Sequence, residues 1–232
     1  FGVSADALEE GKEYWQTGKD AWTGYSAVSF VILYNTNVVT YRELPTGWDS
    51  LLEPRWKGRV AVPDPLKSDM AASVLTEAAK NSEKEEFLDL LAENMQYQMP
   101  ETFKEVEQGI SDGRYSIGVT SEEAAKAMLA AGQDVDYIDP EEGECFFEDG
   151  TAIRKRTPNL DASEAFVTYT TCDDTKWLLR TQLLRQPAED VAAENDRSDE
   201  DLKQRYSRQQ EVLNIWKLIM EEKSGSAHEQ EQ

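Results

Sequence analysis

The sequence predicts an α/β fold with largely parallel sheets, and three observations support this prediction. Short apolar runs rich in β-branched residues occur along the chain. Longer segments with apolar residues at helical spacing separate them. Strands that alternate with helices are typical of parallel sheets, because each helix returns the chain to the same end of the sheet. The 232 residues suffice for one large or two modest domains.

Five segments are predicted as strands because they are short, apolar and bounded by glycine, proline or polar residues. Residues 27–34 form the longest of these apolar runs, and we expect that strand to be buried. The other strands are predicted at residues 60–62, 115–119, 135–138 and 151–153.

Helices are predicted where apolar residues fall largely on one face. Residues 70–79, 84–95 and 103–110 form three of them, and Ser68 or Asp69 opens the first. Further helices are predicted at residues 4–11, after Asn159, and after Ser198 as a last long helix that gives way to a disordered polar tail at residues 223–232.

One more helix is predicted directly after the strand at residues 115–119. Thr120 and Glu123 have the spacing of a capping box, in which each side chain bonds the backbone N–H of the other. This helix is predicted to end at Gly132, and the acidic pair Glu141-Glu142 beyond it is predicted to be solvated surface.

The run from Trp48 to Ser68, WDSLLEPRWKGRVAVPDPLKS, is the most informative stretch of the chain. Asp49 is predicted to cap a short helix, which Pro54 ends because the residue before proline avoids the helical region. Trp48 and Trp56 are predicted to be core residues. Residues 63–65 form an irregular loop after a buried strand, where ligands of open α/β sheets bind.

The charge of the chain disfavours several classes of function. It carries 24 Lys and Arg against 46 Asp and Glu, a formal net charge of -22. Such acidity disfavours nucleic acid and anionic membrane surfaces, both of which attract cationic proteins. No apolar stretch is long enough to span a bilayer, and the first residues do not read as a signal peptide.

Residues suited to catalysis or metal binding are scarce. The single histidine, His228, lies in the polar tail, so a His-based metal or acid–base site is excluded. No nucleophile motif or phosphate-binding loop is present, and we expect a protein that is not an enzyme and holds no cofactor. Cys145 and Cys172 are too few for a disulfide scaffold, although an exported protein could pair them.

The run from Trp48 to Ser68 resembles a signature of bacterial extracellular solute-binding proteins of ABC importers. The particular branch is similar to the one that holds ferric-iron, 2-aminoethylphosphonate and phosphoglycerate-type binding proteins. The run GRYSIGVTSEEAA at residues 113–125 and the run PEEG at residues 140–143 also resemble segments of that family. Together with Trp22-Thr23-Gly24-Tyr25 and the strand that follows, the resemblance covers about residues 1–220.

The resemblance implies a two-lobed periplasmic-binding-protein-like fold of type II, with lobe 1 incomplete. Lobe 1 is expected at residues 1–27 and 147–180, and lobe 2 at residues 28–146 and 181–222. The opening Phe1-Gly2-Val3-Ser4 matches a loop that normally follows the third strand of lobe 1. The sequence is therefore expected to be an N-terminally truncated fragment, or one whose front was not read.

The resemblance also implies a ligand held by helix N-termini, which present unpaired N–H groups and partial positive charge. Ser4, Ser68 and Thr102 are candidate contacts at three predicted helix starts, although Ser4 could be a plain cap. Asp69 stands where the family has glycine, and it either binds an ammonium group of the ligand or points to solvent.

Four further candidates complete the predicted site. Thr120, Ser121 and Glu122 open the helix after residue 119, and Tyr25 follows the WTG motif. Acidic replacements at the helix starts suggest a zwitterionic or cationic ligand, or a metal bound through carboxylate and tyrosine oxygens. No adjacent tyrosine pair is present, so iron ranks below a small organic ligand.

The function implied by the resemblance is capture of a small polar solute, such as a phosphonate or phosphate-ester-like anion or zwitterion, by hinge closure. The expected partners are that ligand and the transmembrane permease subunits of an ABC transporter, with no nucleic acid and a monomeric protein. The expected location is periplasmic or extracellular, with a lipoprotein anchor as one form. The alternatives are a ferric-iron binding protein and a ligand-sensing ectodomain coupled to a two-component kinase.

Overall fold

The computed structural model describes residues 23–154, 156–188 and 199–229. The chain divides into two compact units, with boundaries after Ser29, Cys145 and Tyr206. Unit 1 comprises the described residues up to 29 together with 146–206, and unit 2 comprises 30–145 and those from 207 onward. The predicted lobe boundaries stay a prediction, and they differ from these units chiefly in residues 181–206.

Strand β1, Thr23–Asn35, is the longest of the described strands and is almost wholly buried. A strand buried on both faces has a nearly continuous apolar sequence, as the run at residues 27–34 does. This strand was predicted correctly, although pairing extends it at both ends.

Unit 2 contains the next three strands along the chain and most of the described helices. Strand β2, Val60–Ala61, is preceded by short 3₁₀ helices at Tyr41–Glu43, Trp48–Leu52 and Pro54–Trp56. Three helices then follow before β3, Ile117–Ser121, and one helix separates β3 from β4, Val135–Ile138. The helices of this region are α1, Asp69–Asn81, α2, Phe87–Asn94, α3, Phe103–Ser111, and α4, Glu122–Ala130.

Unit 1 contains shorter elements after the second boundary. Strand β5, Cys145–Thr151, begins at that boundary, and β6, Gln186–Pro187, pairs with β1 at Ser26 and Ala27. Helices α5, Leu160–Thr171, and α6, Asp173–Leu178, lie between them and lead into a π-helical turn at Leu179–Leu183. The predicted strand at residues 151–153 is wrong in position, because the strand ends at Thr151.

The prediction of largely parallel sheets is wrong for the described sheet. Its order is β2-β3-β1-β4, and β1 is antiparallel to both of its neighbours in unit 2 while β2 and β3 are parallel. The crossover helices do make β2, β3 and β4 run in one direction, as the alternation predicts. However, β1 inserts between β3 and β4 in the opposite direction, and no local sequence pattern encodes that insertion.

The core of unit 2 forms on both faces of β1, because its residues alternate between them. On one face Val31 and Leu33 belong to a buried cluster with Ala61, Val106 and Ile110. Trp48 and Trp56 are also buried, as predicted, and so is Leu51. The amide of the buried Asn94 donates to the backbone oxygens of Leu51, at 2.7 Å, and Glu53, at 2.9 Å, which ties α2 to the 3₁₀ turns.

The last helix, α7, Asp199–Glu229, packs in unit 2 through Val212 and Trp216, both of which are buried. Lys223 lies over the ring of Tyr97 at 4.7 Å. The helix continues past residue 223, where the sequence predicted a disordered tail. Ser198, the predicted cap of this helix, lies outside the described residues.

The 3₁₀ helix at Trp48–Leu52 begins differently from the prediction. Its N-cap is Gly47 rather than Asp49, and the carboxylate of Glu142 accepts from the backbone N–H groups of Trp48 and Asp49, each at 3.0 Å. The prediction that Glu142 is ordinary solvated surface is therefore wrong. A carboxylate at a helix start is favourable because the first N–H groups have no partner within the helix.

Candidate functional site

The parallel pair β2 and β3 defines one edge of the sheet in unit 2. Val60 lies opposite Ile117 and Ala61 opposite Gly118, so the two strands run side by side in one direction, and β3 extends beyond β2 to Ser121. Beyond them the chain enters the loop at residues 62–68 on one side and helix α4 on the other. Ligands of open α/β sheets bind at such carboxyl ends.

Two loops at this edge are joined by direct bonds. The backbone N–H of Asp64 donates to the backbone oxygen of Pro100 at 2.9 Å. Lys67 forms an ion pair with Glu101, which is the residue two before α3. The starts of α1 and α3 therefore lie next to each other, since Lys67 and Glu101 each precede an N-cap.

Three helices at this edge begin with a hydroxyl side chain as N-cap. Ser68 Oγ accepts from the N–H of Ala71, Thr102 Oγ1 accepts from that of Glu105, and Ser121 Oγ accepts from that of Ala124, each at 3.2 Å. A capping hydroxyl uses its oxygen as acceptor and keeps its own O–H to donate. Three O–H donors and three helix N-termini therefore belong to this edge, and they suit an anionic group.

Thr120 does not cap α4, so the predicted capping box of Thr120 and Glu123 is wrong. Strand β3 continues to Ser121, which pairs with Phe30 of β1, and Ser121 is the N-cap instead. Thr120 is a fully buried strand residue whose hydroxyl donates to Glu107 Oε1 at 2.7 Å. This bond links β3 to α3 directly below the edge.

The remaining predicted residues occupy different surroundings. Asp69 is exposed at the first position of α1, and Glu122 forms an ion pair with Lys126 at 2.6 Å. Tyr25 is half-buried on β1 in unit 1, and Ser4 lies outside the described residues. Five of the eight candidates are thus part of the edge or its first helical turns, Thr120 lies just below it, and their role in binding stays a prediction.

Two charged residues at this edge were not identified from the sequence. Burial raises the pKa of Glu107, although the Thr120 hydroxyl and Lys104 partly oppose this, and Glu123 adds to it. The hydrogen bond from Lys67 to Glu101 raises the pKa of Lys67. Glu107 occupies a helical position where a solvated carboxylate is usual, so only its contact with Thr120 distinguishes it.

An aromatic contact supports the same edge from the side of α3. The rings of Phe103 and Phe30 lie 5.3 Å apart, between the first residue of α3 and the residue that pairs with Ser121. Such pairs contribute beyond the area that they bury. The contact fixes the start of α3 against β1 within unit 2.

The described residues contain neither a metal-binding cluster nor a disulfide. Within the described ranges, no group of three or more His, Cys, Asp or Glu side chains is placed to hold a metal ion. Both cysteines are free, with Cys145 buried and Cys172 half-buried, so the disulfide considered from the sequence is not formed. Among the helices that the structure describes, none is long and apolar enough to cross a membrane.

Comparison with known families identifies the class of protein. The profile of the family described as bacterial extracellular solute-binding protein matches residues 3–210. The chain therefore belongs to this family. Its members bind small-molecule solutes and work with the permeases of ABC transporters.

Solved structures share the two-lobed fold of periplasmic binding proteins. The periplasmic binding protein AfuA from Actinobacillus pleuropneumoniae, with exogenous fructose-6-phosphate bound, is similar over 95% of this chain and 76% of that one, with 15% identity and a TM-score of 0.75. A ferric binding protein from Campylobacter jejuni is similar over 94% and 77%, with 14% identity and a TM-score of 0.75.

A third similar structure has a different description. A two-component system protein described as mediating signal transduction is similar over 86% of this chain and 67% of that one, with 18% identity and a TM-score of 0.69. At these identities the likenesses show the fold alone. No match was found among curated protein sequences.

Proposed function

We propose that this chain captures a small polar solute, a phosphonate or phosphate-ester-like organic anion or zwitterion, for an ABC importer. The observation that carries the proposal is the edge after β2 and β3, where Ser68, Thr102 and Ser121 cap three helices with hydroxyl groups. N–H groups and hydroxyls at helix starts suit the oxygens of a phosphoryl or phosphonyl group.

The charges around this edge favour a zwitterion over a plain anion. Asp69 is exposed at the start of α1, and Glu101 and Glu105 lie at the start of α3. Lys67 is already paired with Glu101, so its charge is largely compensated. A ligand with one ammonium group would offset the repulsion that these carboxylates exert on a phosphonate.

The ferric-iron and sensor alternatives each have a specific observation in their favour. A ferric binding protein and a two-component system protein are both among the similar structures. For iron, the ligating oxygens would come from tyrosine and carboxylate side chains. The sensor would bind a solute with the same chemistry, so only its output would differ. Location outside the cytoplasm, with or without a lipoprotein anchor, is part of the same proposal.

The experiment is a thermal-shift series on the 232-residue chain. The matched probes are 2-aminoethylphosphonate and ethylphosphonate, which differ by one amino group, then glycerol 3-phosphate, glycine and ferric citrate. A ligand at a hundredfold excess over its Kd stabilises the folded state by about 2.7 kcal/mol, which is a clear shift in Tm.

We expect a shift with the phosphonates and phosphate ester, and a larger one with the aminophosphonate. A shift with glycine and the aminophosphonate alone would indicate that the site recognises the amino group of the ligand and not the phosphoryl group. A shift with ferric citrate alone would favour the iron alternative. No shift with any probe would count against the proposed solute class.

A further inference from the structure

The turn at residues 139–143 is bound to the start of the 3₁₀ helix at Trp48–Leu52. Both oxygens of the Glu142 carboxylate accept backbone N–H groups, from Trp48 and Asp49, each at 3.0 Å. Hydrogen bonds to a charged acceptor are roughly twice as strong as neutral ones. The two residues that donate are more than ninety positions away in sequence, so the bonds close a long loop inside unit 2.

Two further bonds hold the same contact. The backbone N–H of Glu141 donates to the oxygen of Thr46 at 3.0 Å, and the indole Nε1 of Trp48 donates to the oxygen of Gly143 at 2.9 Å. Trp48 is fully buried, so its indole is held in place by packing as well as by this bond. Together the four bonds form what we term the Glu142 clamp.

The clamp lies immediately before the point where the chain leaves unit 2. Strand β5 begins at Cys145, which is the last residue of this part of unit 2. Cys145 is buried, and its thiol lies 3.8 Å from the backbone oxygen of Val74 in α1. The clamp and this buried thiol fix the exit of the chain from unit 2.

A second anchor holds the same strand inside unit 1. Asp149 accepts from the hydroxyl of Ser26 at 3.0 Å and forms an ion pair with Arg185. The side chains of Asp149 and Arg185 are both about three-quarters buried, and Ser26 is fully buried. Partly buried pairs of this kind are less screened by water than surface pairs.

We propose that Glu142 is a positioning residue for the return crossing, which holds the unit 2 end of β5 so that bending of this strand is confined to residues 146–148. Phe146, Phe147 and Glu148 lie between the two anchors and are half-buried, within a strand that pairs with β1. Domain closure in binding proteins is absorbed by a few residues at the ends of elements. The link between this bending and solute capture rests on the proposed function. The role of Glu142 in holding β5 does not depend on that function.

The test is amide hydrogen exchange on the ligand-free 232-residue chain, comparing Glu142→Gln with the unchanged protein. A glutamine keeps the length of the side chain but has one acceptor oxygen and no charge, so one bond is lost and the other weakened. We expect exchange at Trp48 and Asp49 to become about tenfold faster. Exchange at residues 146–148 should rise severalfold, and exchange in β3 should stay unchanged.

The matched control is Glu141→Gln, because Glu141 contributes its backbone N–H to the clamp and its side chain is exposed. It should leave every exchange rate unchanged. A rise at Trp48 and Asp49 with no rise at residues 146–148 would reduce Glu142 to a helix cap and overturn the proposal. An equal rise across β3 would also overturn it, since it would indicate loss of global stability.

The outcome is separable from that of the thermal-shift series. Exchange is measured without any solute, so a chain that binds none of the probes still shows whether Glu142 positions β5. If Glu142→Gln changes exchange as expected while no probe shifts Tm, the proposed solute class fails and the clamp stands.

Discussion

Two kinds of helix start occur in unit 2, and they differ in where the cap comes from. At α1, α3 and α4 the cap is the hydroxyl of the residue directly before the helix. At the 3₁₀ helix Trp48–Leu52 it is the carboxylate of Glu142, from the far side of a long loop. The second start already holds an anion supplied by the chain itself, and so it is closed to a solute.

The contrast explains why the edge after β2 and β3 is the better binding candidate. A local hydroxyl cap satisfies one N–H and still has its own O–H to donate. We propose that the helix starts there receive an external anion, as the Glu142 carboxylate is received elsewhere in the same unit. At α3 the Glu105 carboxylate accepts only the N–H of Glu101, before the helix, at 2.7 Å. The mutations that follow test this contrast in order of decreasing effect.

Gly118→Ala should have the largest effect, because it breaks the strand pair that brings the hydroxyl-capped helices together. A Cβ at this position would lie 2.6 Å from the backbone oxygen of Ala61 and 2.8 Å from a methyl group of Val106. The backbone of β2 must then shift, and overpacking of this kind costs about 3 kcal/mol. Urea unfolding followed by tryptophan fluorescence measures the loss.

Gly132→Ala is the control for Gly118→Ala. A Cβ at Gly132 would meet nothing within 4 Å, but the residue has a φ of +73°, which disfavours a side chain. Its cost should be about 1 kcal/mol and come from the backbone alone. Equal losses in the two variants would contradict the close packing of β2 against β3.

Gly47→Ala should break the remote cap while leaving the hydroxyl caps in place. Its Cβ would lie 1.6 Å from Glu142 Oε2, so the carboxylate has to leave the N–H groups of Trp48 and Asp49. The backbone at Gly47 is extended, so the expected loss of about 2 kcal/mol comes from the cap. In the background of Glu142→Ala, the same substitution should cost little, and a double-mutant cycle in urea measures this.

The sequence predicted the parts of this contrast that are encoded locally. Ser68 or Asp69 was predicted to open α1 because both directly precede an apolar helical pattern, and Ser68 is the cap. The buried strand at residues 27–34 was predicted from its composition alone. The capping of α4 was misplaced by one residue, since pairing with Phe30 extends β3 to Ser121 and leaves Thr120 inside the strand. Strand ends of this kind depend on the neighbouring strand.

Long-range contacts account for most of the remaining differences. No pattern around Glu142 indicates that its partners are Trp48 and Asp49, and the adjacent Glu141 has an exposed side chain. The antiparallel placement of β1 likewise depends on which strand its edges meet. The family resemblance predicted the two-lobed fold, whereas the individual contacts of the site required the structure.

Ser121 provides a test of the local caps with a smaller effect. Ser121→Ala should lower the free energy of unfolding by about 1 kcal/mol, because the N–H of Ala124 loses its acceptor. Ser121→Gly should lower it by only a few tenths, since glycine is tolerated at an N-cap. If the hydroxyl also contacts the solute, both variants should lose the ligand-induced Tm shift equally. If the ligand-induced Tm shift instead decreases only in the less stable variant, Ser121→Ala, then Ser121 acts as a helix cap and does not contact the solute.

Glu107 should give the smallest effect, and its sign tests the environment below the edge. Burial raises the pKa of Glu107, so the folded protein takes up a proton there at a higher pH than the unfolded chain does. Its contribution to stability is full below the ordinary pKa of glutamate and is lost as pH rises through the raised value. Glu107→Gln should therefore flatten the pH dependence of the urea midpoint over that window.

Glu93→Gln is the control of opposite sign, because the hydrogen bond from Lys57 lowers the pKa of Glu93. The contribution of Glu93 to stability is present above the ordinary pKa of glutamate and is lost as pH falls through the lowered value. A pH dependence that Glu107→Gln leaves unchanged would show that Glu107 is solvated in solution, and its contact with Thr120 would then not support the edge.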